Sequence, residues 1–539
     1  MKNRIKKALG IFLALLFVIS CTAGCNNGSA NVSGQNSSGS NAQTQEPSSG
    51  GQSAEPAQPK EVDILRFGIG PWPTSLDPGS SVGNDTAPFF PQFFDNLLYA
   101  TNDGKIESYV CESWEYVDDT AVVTEYKLKD GIFFHNGDQL TSADIKFTIE
   151  RLLQGDVSYF STNARSIIST IERVEIVDPL TFRIITSAPD PVIFSRLAAQ
   201  LGVYIVPQKY MEAVGVEAFG QKPIGTGPYR VDSFGPEKIT MSYFEGYTGK
   251  KPLAKAIEYV RFAEPTAMAT AMITGEINFA WLITPDIADM LSGYDNIIVD
   301  AGNYSSSHLM RFNTATMDKP LRQALSLAID RELICETLWA GYASVPLGYN
   351  YEEFGEYYVA DYPGYRYDPE KAKALLAQSS YNGETITLQL VPGYYALGVE
   401  VGEAVVDMWN QIGVKAEVKF VEKNNTNSQE YAANWANGIR FSDPIGGLWL
   451  LWGEGTSIQK DIWRDVPAEF NELGARIAGE LDPKARYEIN RRMIEIWDEE
   501  VPGTLVYSAK RIWATSDFLE WDYVPGRLIS MRAEQLSFR

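Results

Sequence analysis

Apolar positions along the chain change period repeatedly, between two and about 3.6 residues, and each change marks a predicted element. Ile64-Leu65-Arg66-Phe67-Gly68-Ile69 predicts a strand that opens into the loop Gly70-Pro71-Trp72-Pro73. Residues 122–128 alternate as a second strand, and Gly131-Ile132-Phe133-Phe134 continues it past a turn. Thr141 is an N-cap, with Asp144 three residues on and Ile145, Phe147, Ile149 and Leu152 forming the apolar stripe of a helix. Residues 174–176 and 182–185 flank Asp178-Pro179 as a hairpin. An amphipathic helix begins at Pro320 and runs through Arg331, and another spans Tyr367 to Leu376 with Asp368 as N-cap and Pro369 in the first turn. Residues 385–391 and 414–420 read as strands around a helix at 399–412. This alternation predicts an α/β protein with helices on the faces of open sheets.

The first sixty residues follow different patterns. Lys2, Arg4, Lys6 and Lys7 precede a thirteen-residue apolar run from Ala8 to Ser20. That run is short for a membrane span and reads as a secretory signal, residues 1–20 or 1–24. It ends at Val18-Ile19-Ser20-Cys21 and again at Thr22-Ala23-Gly24-Cys25, and a small residue directly before Cys is the pattern of a bacterial lipobox. One of Cys21 and Cys25 is therefore expected to carry lipid. Residues 26–60 contain no aromatic residue, no Leu and no Ile, so they cannot bury enough apolar surface to offset ordering, and a tether is expected. At ~5–6 Å times the square root of length, it would reach roughly 30–35 Å.

Composition narrows the function. Some 480 residues beyond the tether suffice for two or three cored domains. The formal charge of −23, or −27 without the four leader cations, is wrong for nucleic acid and suits an exported protein. Only Cys111 and Cys335 follow the leader, and the sequence leaves a disulfide between them open. The two histidines, His135 and His308, lie in no zinc-binding pattern, so no metal or cofactor is expected. Gly79-Ser80-Ser81-Val82-Gly83 matches a nucleophile elbow in letters only, because Leu76-Asp77-Pro78 before it and Asn84-Asp85 after it are loop chemistry. Gly225-Thr226-Gly227 lacks the Lys-Ser/Thr of a phosphate loop. A secreted hydrolase, the competing class, would need a nucleophile or acid/base pair that the chain does not display.

Several stretches occur in a telling order: Leu76-Asp77-Pro78, Gly131 to Asp138 with Thr141 to Ile145, Pro223-Ile224-Gly225-Thr226-Gly227-Pro228-Tyr229, Gly275-Glu276-Ile277-Asn278, the helix through Arg322, and the helix after Asp368. Together, behind a lipobox leader, they resemble the family 5 extracellular solute-binding proteins, the peptide/nickel-type receptors of ABC importers, over residues 62–539. The resemblance implies a two-lobed, periplasmic-binding-protein-like hinge fold of cluster C type with an extra inserted domain. Lobe 1 would comprise 61–103, 207–310 and 506–539, the inserted domain 104–206, and lobe 2 residues 311–505. It also implies no enzymatic activity, a monomer, a lipid anchor outside the cytoplasm, and delivery of a peptide or similar small solute to a permease. An oligosaccharide or an opine-like anion is the alternative cargo.

Peptide-binding relatives carry a second-lobe segment of the type Asp-x-x-Asp-Pro, whose first carboxylate pairs with the peptide amine. The matching stretch here is Asn437-Gly438-Ile439-Arg440-Phe441-Ser442-Asp443-Pro444. With Asp443-Pro444 aligned, Arg440 takes the amine-binding position, where a guanidinium would attract a carboxylate, phosphate or sulfate. A shift of one or two residues instead leaves Asp443 as the amine partner. Among nearby aromatics, Trp72, Trp435 and Tyr394 are the expected cleft walls.

Overall fold

The computed structural model describes residues 62–80, 88–101, 105–155, 159–199, 203–422, 430–438, 441–523, 532 and 535–539. Cys21, Cys25, the leader and the tether lie outside the described residues.

Among the described residues the strands form three larger sheets. The first has the order Ile297–Gly302, Arg511–Ser516, Phe279–Trp281, Val62–Ile69, Ala254–Arg261, Lys238–Tyr243, Tyr229–Phe234. Val62–Ile69 runs parallel to Ala254–Arg261 and to Phe279–Trp281, while Arg511–Ser516 is antiparallel to both its neighbours. One face packs Phe67, Tyr259, Trp281, Trp513 and Trp521, and the other packs Met272, Ile287, Leu291 and Ala514. The strand is thus buried on both faces, which explains its near-continuous apolar sequence.

The second sheet runs Ala343–Ser344, Gly503–Ala509, Ser306–Phe312, Ala432–Gly438, Ile386–Leu390, Ala416–Phe420. Ile386–Leu390, the helix Gly398–Gln411 and Ala416–Phe420 form a parallel crossover unit. The third sheet, Cys111–Tyr116, Val123–Leu128, Thr181–Thr186 and Ile171–Asp178, is wholly antiparallel. Cys111 and Cys335 are buried free thiols.

Most of the helix signals act where the sequence places them. Ser142–Gln154 follows Thr141, whose backbone N–H donates to the Asp144 carboxylate at 2.9 Å. Pro369–Leu376 follows Asp368, which accepts from Lys371 N at 2.9 Å. Two expectations need correction. The helix from Pro320 does not run through Arg331 but stops at Leu327, and a second begins at Arg331. The break is made by side chains: Asp330 caps Leu333 N at 3.0 Å, and the buried Arg331 guanidinium binds the Ser326 and Ile329 carbonyls at 3.1 and 3.2 Å. Residues 131–134 do not prolong the strand either; they form a turn with a single bridge from Phe133 to Gln139.

That turn joins two of the sequence landmarks. His135 Nδ1 accepts from Gly225 N at 3.3 Å, and its Nε2 lies 2.9 Å from Gly227 O, so the hydrogen sits on Nε2 and donates. His135 N also donates to Gly225 O at 3.0 Å. Gly227 is required because a Cβ there would meet Phe93 C at 2.7 Å and Gln92 O at 2.8 Å, both immovable backbone atoms. Thr226 Oγ1 donates to Asp95 at 2.7 Å, and Arg532 near the C-terminus grips the other oxygen of Asp95 at 2.6 Å. The glycine pair is therefore a seam between the first and third sheets, not a ligand loop.

Candidate ligand-binding cleft

The chain passes between the first and second sheets at residues 303–305, and again at Lys510. Ile297–Gly302 and Gly503–Ala509 enter these crossings, and Ser306–Phe312 and Arg511–Ser516 leave them. Two short crossings between two rigid sheets make a hinge, since a few backbone torsions can swing one sheet against the other. Strand direction fixes what faces it. Val62–Ile69 and Ala254–Arg261 run the same way as Ile297–Gly302, toward the crossings, through their antiparallel relation to Arg511–Ser516. In the second sheet Ala432–Gly438 and Ile386–Leu390 also run toward the crossings, opposite to Ser306–Phe312. The carboxyl ends of parallel strands in both sheets thus point at one cleft, the position where open α/β sheets bind ligands.

The loops at those ends carry two of the expected aromatics, Trp72 and Tyr394. Trp72 follows Val62–Ile69; it is half-buried, its indole N–H donates to Gly235 O at 3.0 Å, and its edge meets Phe89 at 5.6 Å. Tyr394 follows Ile386–Leu390 and is 59% exposed, edge-on to Tyr395 at 4.7 Å. Trp435 lies within Ala432–Gly438, half-buried, with the Arg311 guanidinium 4.5 Å from its ring centroid. Arg440 lies outside the described residues.

Asp443 is in a different setting. It is 3% exposed, and Arg486 Nη2 donates to its Oδ2 at 2.5 Å while Ile445 N donates to Oδ1 at 2.9 Å. Burial pushes its carboxyl up, and Arg486, the Ile445 N–H and Arg196 pull it back. Arg486 is itself 2% exposed, bonded to Ile477 O at 2.9 Å and stacked on Tyr357 at 5.1 Å.

Sequence reasoning missed the charges at the crossings and along the strands that leave them. Arg511 begins its strand with its guanidinium 3.9 Å from the Tyr304 ring centroid. Ser307 and Ser508 share a 2.7 Å hydrogen bond across the start of the second sheet, and Tyr351 OH lies 3.2 Å from Ser307. Arg311 is buried between Trp435 and Trp452, and burial lowers it to about 10. The one available signal was Arg311 standing in the otherwise apolar run Leu309-Met310-Arg311-Phe312. Among the described residues no group of three or more His, Cys, Asp or Glu is placed to hold a metal ion. No helix of the described residues is long and apolar enough to cross a membrane.

Residues 105–459 match the family model of bacterial extracellular solute-binding proteins, family 5. That span exceeds half of the chain. The chain belongs to the family 5 extracellular solute-binding proteins. It is the substrate-binding component of an ABC importer and works outside the cytoplasm. Among curated relatives it is similar to the glutathione-binding protein GsiB of Escherichia coli K12, 27% identical over 355 residues, 65% of this chain and 68% of that protein. The fold is that of the two-lobed periplasmic binding proteins. The dipeptide-binding protein of Pseudoalteromonas sp. SM9913, solved with Met-Leu, matches with a TM-score of 0.79 at 17% identity, over 88% of this chain and 100% of that one. DppA of Helicobacter pylori, solved with the peptide STSA, gives 0.78 at 20% identity, over 89% and 98%.

Proposed function

We propose that this receptor captures a short peptide or similar small solute bearing an anionic group, and passes it to a permease without chemical change. The observation that carries the reading is the commitment of Asp443 to Arg486 (2.5 Å, both buried). A ligand ammonium could use that carboxylate only by leaving Arg486 as a buried unpaired charge, a cost of about 3–5 kcal/mol. With Asp443 occupied, Arg440 stands in the sequence where relatives place the amine partner, and Arg511 at the crossing and Arg311 against Trp435 add positive charge. Trp72, Trp435 and Tyr394 supply aromatic faces for the remainder of the solute. Such faces stack on sugar rings as well as on apolar side chains, which keeps an opine-like anion as the second reading.

Lipid on Cys21 or Cys25 would hold the protein at the outer face of the membrane as a monomer. Native mass spectrometry of the purified protein should identify retained cargo, and calorimetry on that cargo tests the site. Arg440→Ala should weaken binding by about 2–5 kcal/mol, roughly 30- to several-thousand-fold, because the ligand charge is left unpaired in a closed cleft. Binding within threefold of wild type would remove Arg440 from the site and point back to an ammonium ligand.

A further inference from the structure

The side carrying the third sheet meets the second-sheet side through buried apolar residues and one cation–aromatic contact. The loop after Thr181–Thr186 carries Asp190, and the helix Ile193–Leu197 carries Arg196. Arg196 Nε lies 2.9 Å from Asp190 Oδ2, and the guanidinium sits 5.1 Å from the ring centroid of Phe441 in the second-sheet lobe. Behind Phe441 lies the Asp443–Arg486 pair. Asp190, Arg196, Asp443 and Arg486 are 1%, 4%, 3% and 2% exposed, and Phe441 is 5% exposed. Four charges and a ring are thus buried together, two of the charges contributed from each side.

Each side satisfies its own charges. Asp190 also accepts from Thr170 Oγ1 at 2.6 Å and Val192 N at 3.2 Å. Among the described residues no ion pair crosses between the two sides, which meet through the Arg196–Phe441 stack and apolar contacts around it, so the halves can part without breaking an ion pair. That is the property a reversible catch needs. Phe441 directly follows Arg440, so whatever holds Phe441 also fixes one end of the segment expected to meet the ligand.

We propose that Arg196 is a positioning residue: with Asp190 it forms a catch that seats Phe441 when the lobes close and thereby sets the ligand segment. The third sheet then takes part in closure, and the open–closed balance depends on a contact remote from the hinge. A desolvated cation–π contact is strong enough to change that balance by five- to thirtyfold.

The same interface provides the assay. A Cβ on Gly479 would have the Pro189 carbonyl oxygen 3.9 Å away and nothing closer, and both residues are exposed. In the full-length chain, Pro189→Cys with Gly479→Cys should be joined by a short bifunctional thiol reagent only when the catch is closed. The initial rate of cross-linking, read from the joined peptide without added ligand, reports the closed population. Arg196→Met and Phe441→Leu should each lower that rate five- to thirtyfold, and combining them should lower it little further, because both remove one contact. Labelling of the same two cysteines by a monofunctional reagent should stay at the parental rate, whereas general loosening would raise it. Phe441→Leu leaves every charge paired and carries the test if Arg196→Met does not fold. Cross-linking within twofold of the parent in Phe441→Leu, or parallel increases in monofunctional labelling, would overturn the proposal.

Discussion

Replacing Asp443 by Asn separates a structural carboxylate from a ligand-binding one. The substitution keeps an acceptor for Ile445 N, 2.9 Å away, and removes the charge facing Arg486. Breaking a buried ion pair costs about 3–5 kcal/mol when the remaining charge has nowhere to go. Arg486 keeps its bonds to Ile477 O (2.9 Å) and Glu480 O (3.2 Å) and its stack on Tyr357, so the loss should fall to about 2–4 kcal/mol. At ~2–4 °C per kcal/mol for a lobe of this size, the melting temperature should drop roughly 5–15 °C. Scanning calorimetry reads that drop, and titration with the retained cargo below the transition reads affinity. The expected outcome is a large fall in Tm with affinity nearly kept. Unchanged Tm with lost affinity would refute the structural assignment and make Asp443 the amine partner.

Stability should fall on acidification from pH 7 to 5. Burial lowers His135 to about 4 and His308 to about 3, so below pH 6.5 the unfolded chain binds protons that the native state refuses. Asp498, raised to about 6 by burial, acts the other way below that pH, because the native state then binds its proton first. The net loss by pH 5 should be about 2–3 kcal/mol at ~1.4 kcal/mol per unit and group; denaturant midpoints at the two pH values measure it, and a rise at pH 5 would contradict it. Gly227→Ala should cost ~2–3 kcal/mol through collision with the Phe93 and Gln92 backbone, seen as an early thermal transition. Changing both Cys21 and Cys25 to Ser should release the protein from the membrane fraction; retention there would end the lipid-anchor reading.

Local signals were legible in the sequence because their partners are neighbours. Thr141 with Asp144, and Asp368 with Lys371, work across three residues, and the apolar run within 62–69 reflects a strand covered on both faces. What the sequence hid was burial of charge. Arginine is normally read as surface, yet Arg311, Arg322, Arg331, Arg486 and Arg532 are all at most 3% exposed. Their partners lie far along the chain: Arg532 meets Asp95 and Pro91, and Arg331 meets Leu505. The Asp-Pro at 443–444 could be aligned as a motif, but not assigned to ligand or scaffold, since Arg486 is 43 residues away. The helix stop at Leu327 was hidden too: the Arg331 guanidinium that folds back onto Ser326 and Ile329 is held there by Thr504 and Leu505, far along the chain.

These buried arginines also bear on how an acidic protein would favour the anionic solute proposed above. The charge of −23 is spread over a large surface, and at physiological salt its field decays over about 8 Å. Inside the cleft, distance and desolvation decide the outcome instead. Asp443 and Asp190, the buried carboxylates nearest Phe441, each face their own arginine, so neither offers a net negative charge to a ligand. Arg311, buried behind Trp435, and Arg511, half-buried beside Tyr304, each carry positive charge against an aromatic face. Under the proposed reading, a solute carboxylate would trade hydration for a fixed cationic environment, whereas an ammonium would trade hydration for repulsion. Selectivity of this kind depends on which carboxylates the fold has already paired, and an overall charge count does not reveal it.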